Sequence, residues 1–574
     1  MEAQDATSVG DLAAPQAPRV RLAPMSDAAS QPKPFVILGL FLLFVMLGTL
    51  YGAITSAGMP ANHDTLEAYV WGREFQLGYY KHPPFWSWAA GAWFLIFPHT
   101  NWALAMLAMV NAGIGLIGVW MCAGCFVQGE SRTLSVLLLL LTPFYTFFAL
   151  KYNANTIFLS LWPWTAYFFV RSLERERWRD AIAFGVLAGC DILSKYYAVI
   201  FLGACLIAAL SHPARKRYFL SLSPYLSMGV AALLAAPHVY WLVQTNFLPF
   251  HYFAGETGHS IGHSLRQALS VTATSVLFLG LVFALMFVFG RPRVAGRSSD
   301  PKLRLLAILA LAPFVLTIAA SFAFGLALSH NTAGATFALV PLLLVELASG
   351  SDWRRLLRIT SRAAAAVAVL SVLASPVLGY ERMRNPWSGS VKKVEPGQEL
   401  ALAATQIWHQ RGGQKLRYVT GTRKLADAIS CYSNDSPSEL IEFNYAYSPW
   451  VTPGGVNRSG ILVACDVHDQ ACLKAGVKFD GSWREDLALS HTFFGVTDRP
   501  VRFVLFVVPP HADATGAKDA TQRVSAPANG RAADGTWQGS GQIPRSPDSG
   551  IPLRAVASPD RAMRAPRPRG RDGT

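Results

Sequence analysis

Long apolar runs follow one another from Phe35 to Tyr380, and few folds accommodate such a pattern. A run of about 20 apolar residues spans the hydrocarbon core of a bilayer. Inside that core the backbone must satisfy its own polar groups, which a helix does. Phe35–Ala53 is the first such run. Further spans are expected at about 102–126, 133–149, 154–171, 219–241, 266–290, 304–325, 331–349 and 360–380. Composition agrees, with 52% hydrophobic and 15% charged residues, where a soluble domain carries about a quarter charged residues. The chain reads as a polytopic α-helical membrane protein.

Residues 181–210 form one apolar block, interrupted by Asp191-Ile-Leu-Ser-Lys195-Tyr-Tyr. Basic loops flank it at Arg171–Asp180 and His212–Arg217. Short basic loops stay cytoplasmic, so an even number of crossings must join these two. The block therefore splits into two short helices that meet at Ser194–Tyr197. Gly290–Arg304 and Asp352–Arg362 are basic as well. The sum is about eleven spans, with the N-terminus inside and the C-terminus outside. Phe85–Pro98 is too short for a span and rich in Trp and Phe, which suits the membrane interface. The net charge of +15 follows from the basic loops and gives no support to a nucleic-acid partner. The polar, non-basic segments all fall on the outer side: Asn62–Pro84, Lys151–Asn155, Lys195–Tyr197, Asn246–Ser264 and Ser329–Thr332.

Outside the membrane domain, taken as residues 34–380, the composition changes. Residues 1–33 are rich in Ala, Pro, Ser and Asp and read as a disordered cytoplasmic tail. Their lack of an apolar core argues against a signal peptide. Residues 381–508 read as a small α/β domain beyond the membrane. Leu416–Val419, Gly460–Cys465 and Val501–Val508 are strand candidates and Gly421–Ile429 opens a helix. Cys465 and Cys472 stand close enough to pair in an oxidising periplasm. Cys122-x-x-Cys125 has no second pair and lies in apolar surroundings, which suits small buried hydrophobes. Residues 509–574 are rich in Pro, Gly, Ala, Arg and Asp and read as a second disordered tail.

The loop 56–101 packs Asp64, Glu67, Arg73, Glu74, Lys81 and His82 into one short stretch. Asn62–Pro84 reads NHDTLEAYVWGREFQLGYYKHPP. Asp64 and Glu67 are three apart and share a face on a helical turn. A carboxylate at that place can take a proton from a hydroxyl, or it can simply begin a solvated helix. Lys81 and His82 precede Pro83-Pro84, whose fixed φ would hold them as a cation pair for a phosphate. Arg73 and Glu74 fit an exposed ion pair. Lys151-Tyr152-Asn153-Ala154-Asn155 and Lys195-Tyr196-Tyr197 repeat a Lys-Tyr motif at outer helix ends. They suit phosphate and sugar contacts and also an ordinary interfacial belt. His251, His259, His263 and Glu256 could bind a metal or contact substrate, the i, i+4 pair His259 and His263 above all; an ordinary loop with one functional His is the favoured reading. Nothing in the chain matches a nucleotide-binding phosphate loop, a dinucleotide fingerprint or a Ser-His-Asp arrangement.

The strings W-G-R-E, L-G-Y-Y-K-H-P-P, K-Y-N-A-N-T and S-K-Y make the chain resemble the bacterial protein O-mannosyltransferase-like superfamily. That group includes the lipid A aminoarabinose transferases. The resemblance covers roughly Phe35 to Tyr380. It implies a GT-C fold and a glycosyltransferase that takes a hexosyl, pentosyl or uronosyl group from a polyprenyl-phosphate sugar. The reaction would lie on the periplasmic face of a bacterial inner membrane, with an envelope glycan, lipid or protein as acceptor. It further implies Asp64 as the catalytic residue, with Glu67 as candidate partner. Many relatives carry Asp-Glu at this point, whereas this chain has Asp64-Thr65. Lys81, Lys151 or Lys195, with Arg73, would hold the phosphate. His82, Tyr152, Asn153, Asn155 and Tyr196 complete the candidate binding set. A divalent metal is compatible with this reading and not required by it. A transporter or flippase for a lipid or solute is the competing reading, in which the charged loop gates a path.

Overall fold

The computed structural model describes residues 34–255, 257–290, 300–328, 334–348, 353–384, 395–412, 414–479 and 481–510. Both expected tails, except residues 509 and 510, lie outside them, as do Glu256 and the Ser329–Thr332 loop.

The first half is helical. α1 (Pro34–Thr55) leads into a short α2 (His63–Gly72) and α3 (Phe85–Phe94). α4 (Asn101–Ala123) and α5 (Glu130–Leu140) follow. Next come α6 (Phe158–Arg175), α7 (Trp178–Ile192) and α8 (Ala198–Ser211). α9 (Arg215–Leu220), α10 (Ser223–Gln244), α11 (Leu248–Gly255), α12 (Ile261–Leu285) and α13 (Pro301–Phe324) continue the bundle. α14 (Val340–Leu347) and α15 (Trp353–Arg384) close it.

Among the described residues, six helices are long and apolar enough to cross a membrane, seven if one bent pair counts as a span. This is fewer than the eleven expected, and the shortfall has a local cause at each place. The run at 133–149 breaks at Thr142-Pro143 and bends by 81°, because proline forbids the helical hydrogen bond and restricts its predecessor. The block 181–210 ends α7 at Ile192 and restarts at Ala198, close to the expected split. The apolar helix Gly334–Leu347 is shorter than the run that suggested it, and α6, as long as its run, carries Arg171, Glu174 and Arg175 at its end.

α3 does not lie free in an interface. It packs on α2, with Trp86, Ser87, Ala90 and Gly91 buried. The two helices touch backbone to backbone at Gly72 and Gly91. A Cβ on Gly91 would stand 2.2 Å from the Gly72 carbonyl oxygen, so glycine is required there. Phe85 N–H donates to Leu193 C=O at 2.8 Å, which ties α3 to the break between α7 and α8.

The second half is an α/β unit. α16 (Gly397–Gly412) precedes β1 (Tyr418–Gly421), α17 (Arg423–Tyr432) and β2 (Ser438–Leu440). α18 (Pro453–Ser459), β3 (Ile461–Asp466) and α19 (Gln470–Val477) follow. β4 (Trp483–Leu489), the short β5 (Thr492–Phe493) and β6 (Val496–Thr497), and β7 (Val501–Val508) end the described chain. The main sheet runs β2-β1-β3-β7-β4, with β2, β1 and β3 parallel and β7 and β4 antiparallel.

Side chains alternate across a strand. Leu462 and Ala464 join Phe503, Leu505 and Val507 under α16 and α17. Ile461, Val463 and Cys465 join Val504, Phe506 and Val508 on the other face. Both faces are covered, so β3 and β7 read as unbroken apolar runs. Cys465 and Cys472 form a disulfide between β3 and α19, with Cα atoms 5.6 Å apart.

Candidate active site

α2 carries the two carboxylates. Asn62 caps it by accepting from the Asp64 N–H at 3.1 Å, so the helix begins where asparagine satisfies a free donor. Asp64 sits in the first turn, partly exposed, and Glu67 lies one turn on, buried. The shared face expected from their spacing is present, yet their surroundings differ.

Asp64 is held lightly. Asn153 Nδ2 donates to Asp64 Oδ2 at 3.3 Å. Asn153 Oδ1 accepts from the N–H groups of Asn155 at 2.8 Å and Thr156 at 3.0 Å. That turn fixes the amide and aims its NH₂ at Asp64. Lys195, from the break between α7 and α8, donates to Asn155 Oδ1 at 2.6 Å and lies within the electrostatic reach of Asp64. The motifs around 153 and 195 are thus brought together with Asp64, across 89 residues of sequence in one case.

Glu67 is gripped hard. Lys81 Nζ donates to its Oε1 at 3.1 Å. Arg423 Nη2 donates to the same oxygen, and Arg423 Nη1 donates to the Tyr80 hydroxyl. Burial alone would raise the Glu67 carboxyl, but Lys81 and Arg423 overcome it and hold it down to about 2. Tyr80 stacks on Tyr447 with centroids 4.2 Å apart and meets Tyr252 edge-on at 5.7 Å.

The other expected residues divide. Burial, with Lys195 and Lys81 near, pushes His82 down to about 3, so its ring is neutral at pH 7 and supplies no positive charge beside Lys81. Tyr152 is buried, and its hydroxyl donates to Trp86 C=O at 2.8 Å; it struts the turn against α3. Tyr196 meets His238 Nε2 at 3.0 Å, while His238 Nδ1 lies 2.8 Å from Leu77 C=O. A carbonyl only accepts, so Nδ1 carries the proton and Tyr196 donates to Nε2. Arg73 is not brought to this group. It donates to Pro437 C=O of the α/β unit at 3.1 Å and faces its neighbour Glu74 at 3.5 Å. The Lys151 side chain makes no polar contact among the described residues. His259 and His263 stack at 4.5 Å, and His251 meets Asn246 C=O at 2.9 Å. Among the described residues, no three His, Cys, Asp or Glu side chains converge as metal ligands would.

The α/β unit supplies what the sequence did not reveal. Besides Arg423, His63 Nδ1 lies 2.6 Å from Asp427 Oδ2, on α17. Burial lowers His63 and Asp427 raises it, with a net rise. One signal pointed there: Arg423 follows the carboxyl end of the parallel strand β1, where open α/β sheets place ligands.

Residues 81–241 match the family described as dolichyl-phosphate-mannose-protein mannosyltransferase. The chain has the ArnT fold. Crystal structures of ArnT from Cupriavidus metallidurans, one in the apo state and one bound to undecaprenyl phosphate, align at 15% identity and TM-score 0.55. They cover 84% and 85% of this chain and 100% of theirs. An oligosaccharyltransferase from Archaeoglobus fulgidus aligns at 13% identity and TM-score 0.37, over 81% of this chain and 73% of its own. Comparison with curated protein sequences gives no match. The ArnT fold, a multi-pass helical membrane fold, bears out the resemblance drawn from the G-Y-Y-K-H-P-P string.

Proposed function

We propose that this chain is an inner-membrane glycosyltransferase. It moves a sugar from a polyprenyl-phosphate donor to an envelope acceptor, which is lipid A, a core oligosaccharide, another glycolipid or a protein hydroxyl. The observation that carries this reading is the pair on α2: a reachable Asp64, one helical turn from a Glu67 that anchors Lys81. The family match over 81–241 and the undecaprenyl phosphate bound by an ArnT of the same fold support the donor class.

The chemistry follows from charge. In the transfer, the bond from the anomeric carbon to the phosphate oxygen breaks and a bond to the acceptor oxygen forms. Positive charge develops on the sugar and negative charge on the leaving phosphate. Lys81 and Lys195 stabilise the phosphate. Asp64 takes the acceptor proton, a role worth roughly 10²- to 10⁴-fold in rate. Asn153 holds Asp64 in place, and the scheme assigns no step to a metal. In this reading the loop 56–101 and the α/β unit face the periplasm, with the N-terminus in the cytoplasm.

The test is Asp64→Asn, with mass spectrometry of envelope lipids and polysaccharide beside a null strain. Loss of the sugar with the protein retained in the membrane is expected. An intact modification would end the reading.

A further inference from the structure

Two cations on one buried oxygen is an unusual arrangement. Lys81 and Arg423 both donate to Glu67 Oε1, whose side chain is only 5% exposed. They also flank the same rings, each 5.4 Å from the Tyr80 centroid and 5.9 Å from that of Trp71. One carboxylate balances one of them. Of the other nearby acids, Glu439 is buried beside Asp427, and desolvation raises its carboxyl well above the ordinary carboxylate range. Glu442 lies 3.5 Å from Arg423 but is half exposed, so solvent screens it. Asp427 is engaged by His63, and Asp64 faces Asn153 and Lys195. At the shared oxygen itself two cations face the single carboxylate of Glu67, in a largely water-excluded place where a charge acts strongly. Both cations remain reachable, Lys81 at 16% and Arg423 at 14% side-chain exposure.

We infer that Arg423, carried by the α/β unit, is a further phosphate-binding residue, and that it works with Lys81 on the lipid donor. Glu67 acts as the spacer that sets the two cations side by side. An incoming phosphate offers them several oxygens at once, and the guanidinium fork suits that geometry better than an ammonium does. The Tyr80–Tyr447 stack and Tyr252 border the same group and form an aromatic wall beside it. The α/β unit is then part of the site: 356 residues separate Arg423 from Glu67, and the seat is complete only when α17 docks on α2. Two non-glycine residues of the loop that presents Tyr447, Glu442 and Phe443, hold positive φ angles of 50° and 58°. Such strain persists where surrounding structure imposes it.

This inference rests on the donor class proposed above, and its test separates the two. The full chain in lipid nanodiscs is titrated with undecaprenyl phosphate, comparing wild type, Arg423→Gln, Arg423→Lys and Lys81→Gln. Thermal unfolding of each is recorded in parallel. We expect Arg423→Gln to weaken binding at least tenfold, Arg423→Lys to recover part of that loss, and the loss to shrink at high salt. Arg423→Gln is expected to raise KM for the lipid donor more than it lowers kcat. Wild-type affinity in Arg423→Gln overturns the inference and leaves the donor reading intact. Equal loss in Arg423→Gln and Arg423→Lys, tracking lost thermal stability, also overturns it, since that describes docking alone. No binding by the wild type overturns the donor reading itself, and the inference with it.

Discussion

Asp64 and Glu67 are the same kind of group, one helical turn apart, and the fold treats them oppositely. Asp64 is partly exposed and touched by one long amide contact. Glu67 is buried and fixed by two cations from segments far apart in sequence. A carboxylate free to exchange a proton needs solvent or substrate access and few fixed partners. One that organises cations needs burial and charge. The spacing of three made both available on one face, and the neighbours divided the work.

That contrast can be broken at several points. Asp64→Asn should cost the most activity, about 10²- to 10⁴-fold in transfer, with an unchanged melting temperature. A parallel fall in stability would mean the two carboxylates are alike. Glu67→Ala should act the other way round and cost about 3–5 kcal/mol of stability, because it strands two buried cations. Denaturant or thermal unfolding in detergent reads that loss. Gly91→Ala should cost about 1–3 kcal/mol by pushing α3 off α2, and here both carboxylates should lose their setting together. Asn153→Ala should be milder, with transfer reduced by about tenfold for a loss of about 1.4 kcal/mol, and stability nearly unchanged.

pH should act on the two ends of this arrangement with opposite signs. The Glu67 carboxyl sits at about 2 when folded against an ordinary 4.5. Its stabilisation is therefore full above about 4.5 and disappears as pH falls towards 2. His63 is raised above 6.5 by Asp427 once burial is overcome. Its stabilisation is full below 6.5 and is lost as pH climbs through the raised value. Melting temperature against pH should fall at both ends, and His63→Gln should flatten only the alkaline side.

Much of this was legible beforehand. The apolar runs located the long helices, because a bilayer imposes length and composition directly. The break near Ser194 followed from the charge on its two flanking loops, and the apolar run in Val501–Val508 fitted a strand buried on both faces. The span count was not legible, since Pro143 bends one run, the helix after Gly334 stops short, and α6 carries charges at its end. The neutrality of His82 was not legible either. A histidine beside a lysine looks like a cation until its burial is known. Arg73 looked like part of the site and instead holds the α/β unit.

The sequence by itself determined that the chain enters a membrane, where it carries its polar segments along the chain, and which short motifs could do chemistry. Those properties depend on composition and near-neighbour spacing, which any stretch of chain displays. Only the tertiary structure decided that Asn153 and Lys195 gather at Asp64 and Arg423 at Glu67, on one short helix. Electrostatic partnership depends on distance and burial, and both are set by packing between segments that sequence order keeps hundreds of residues apart.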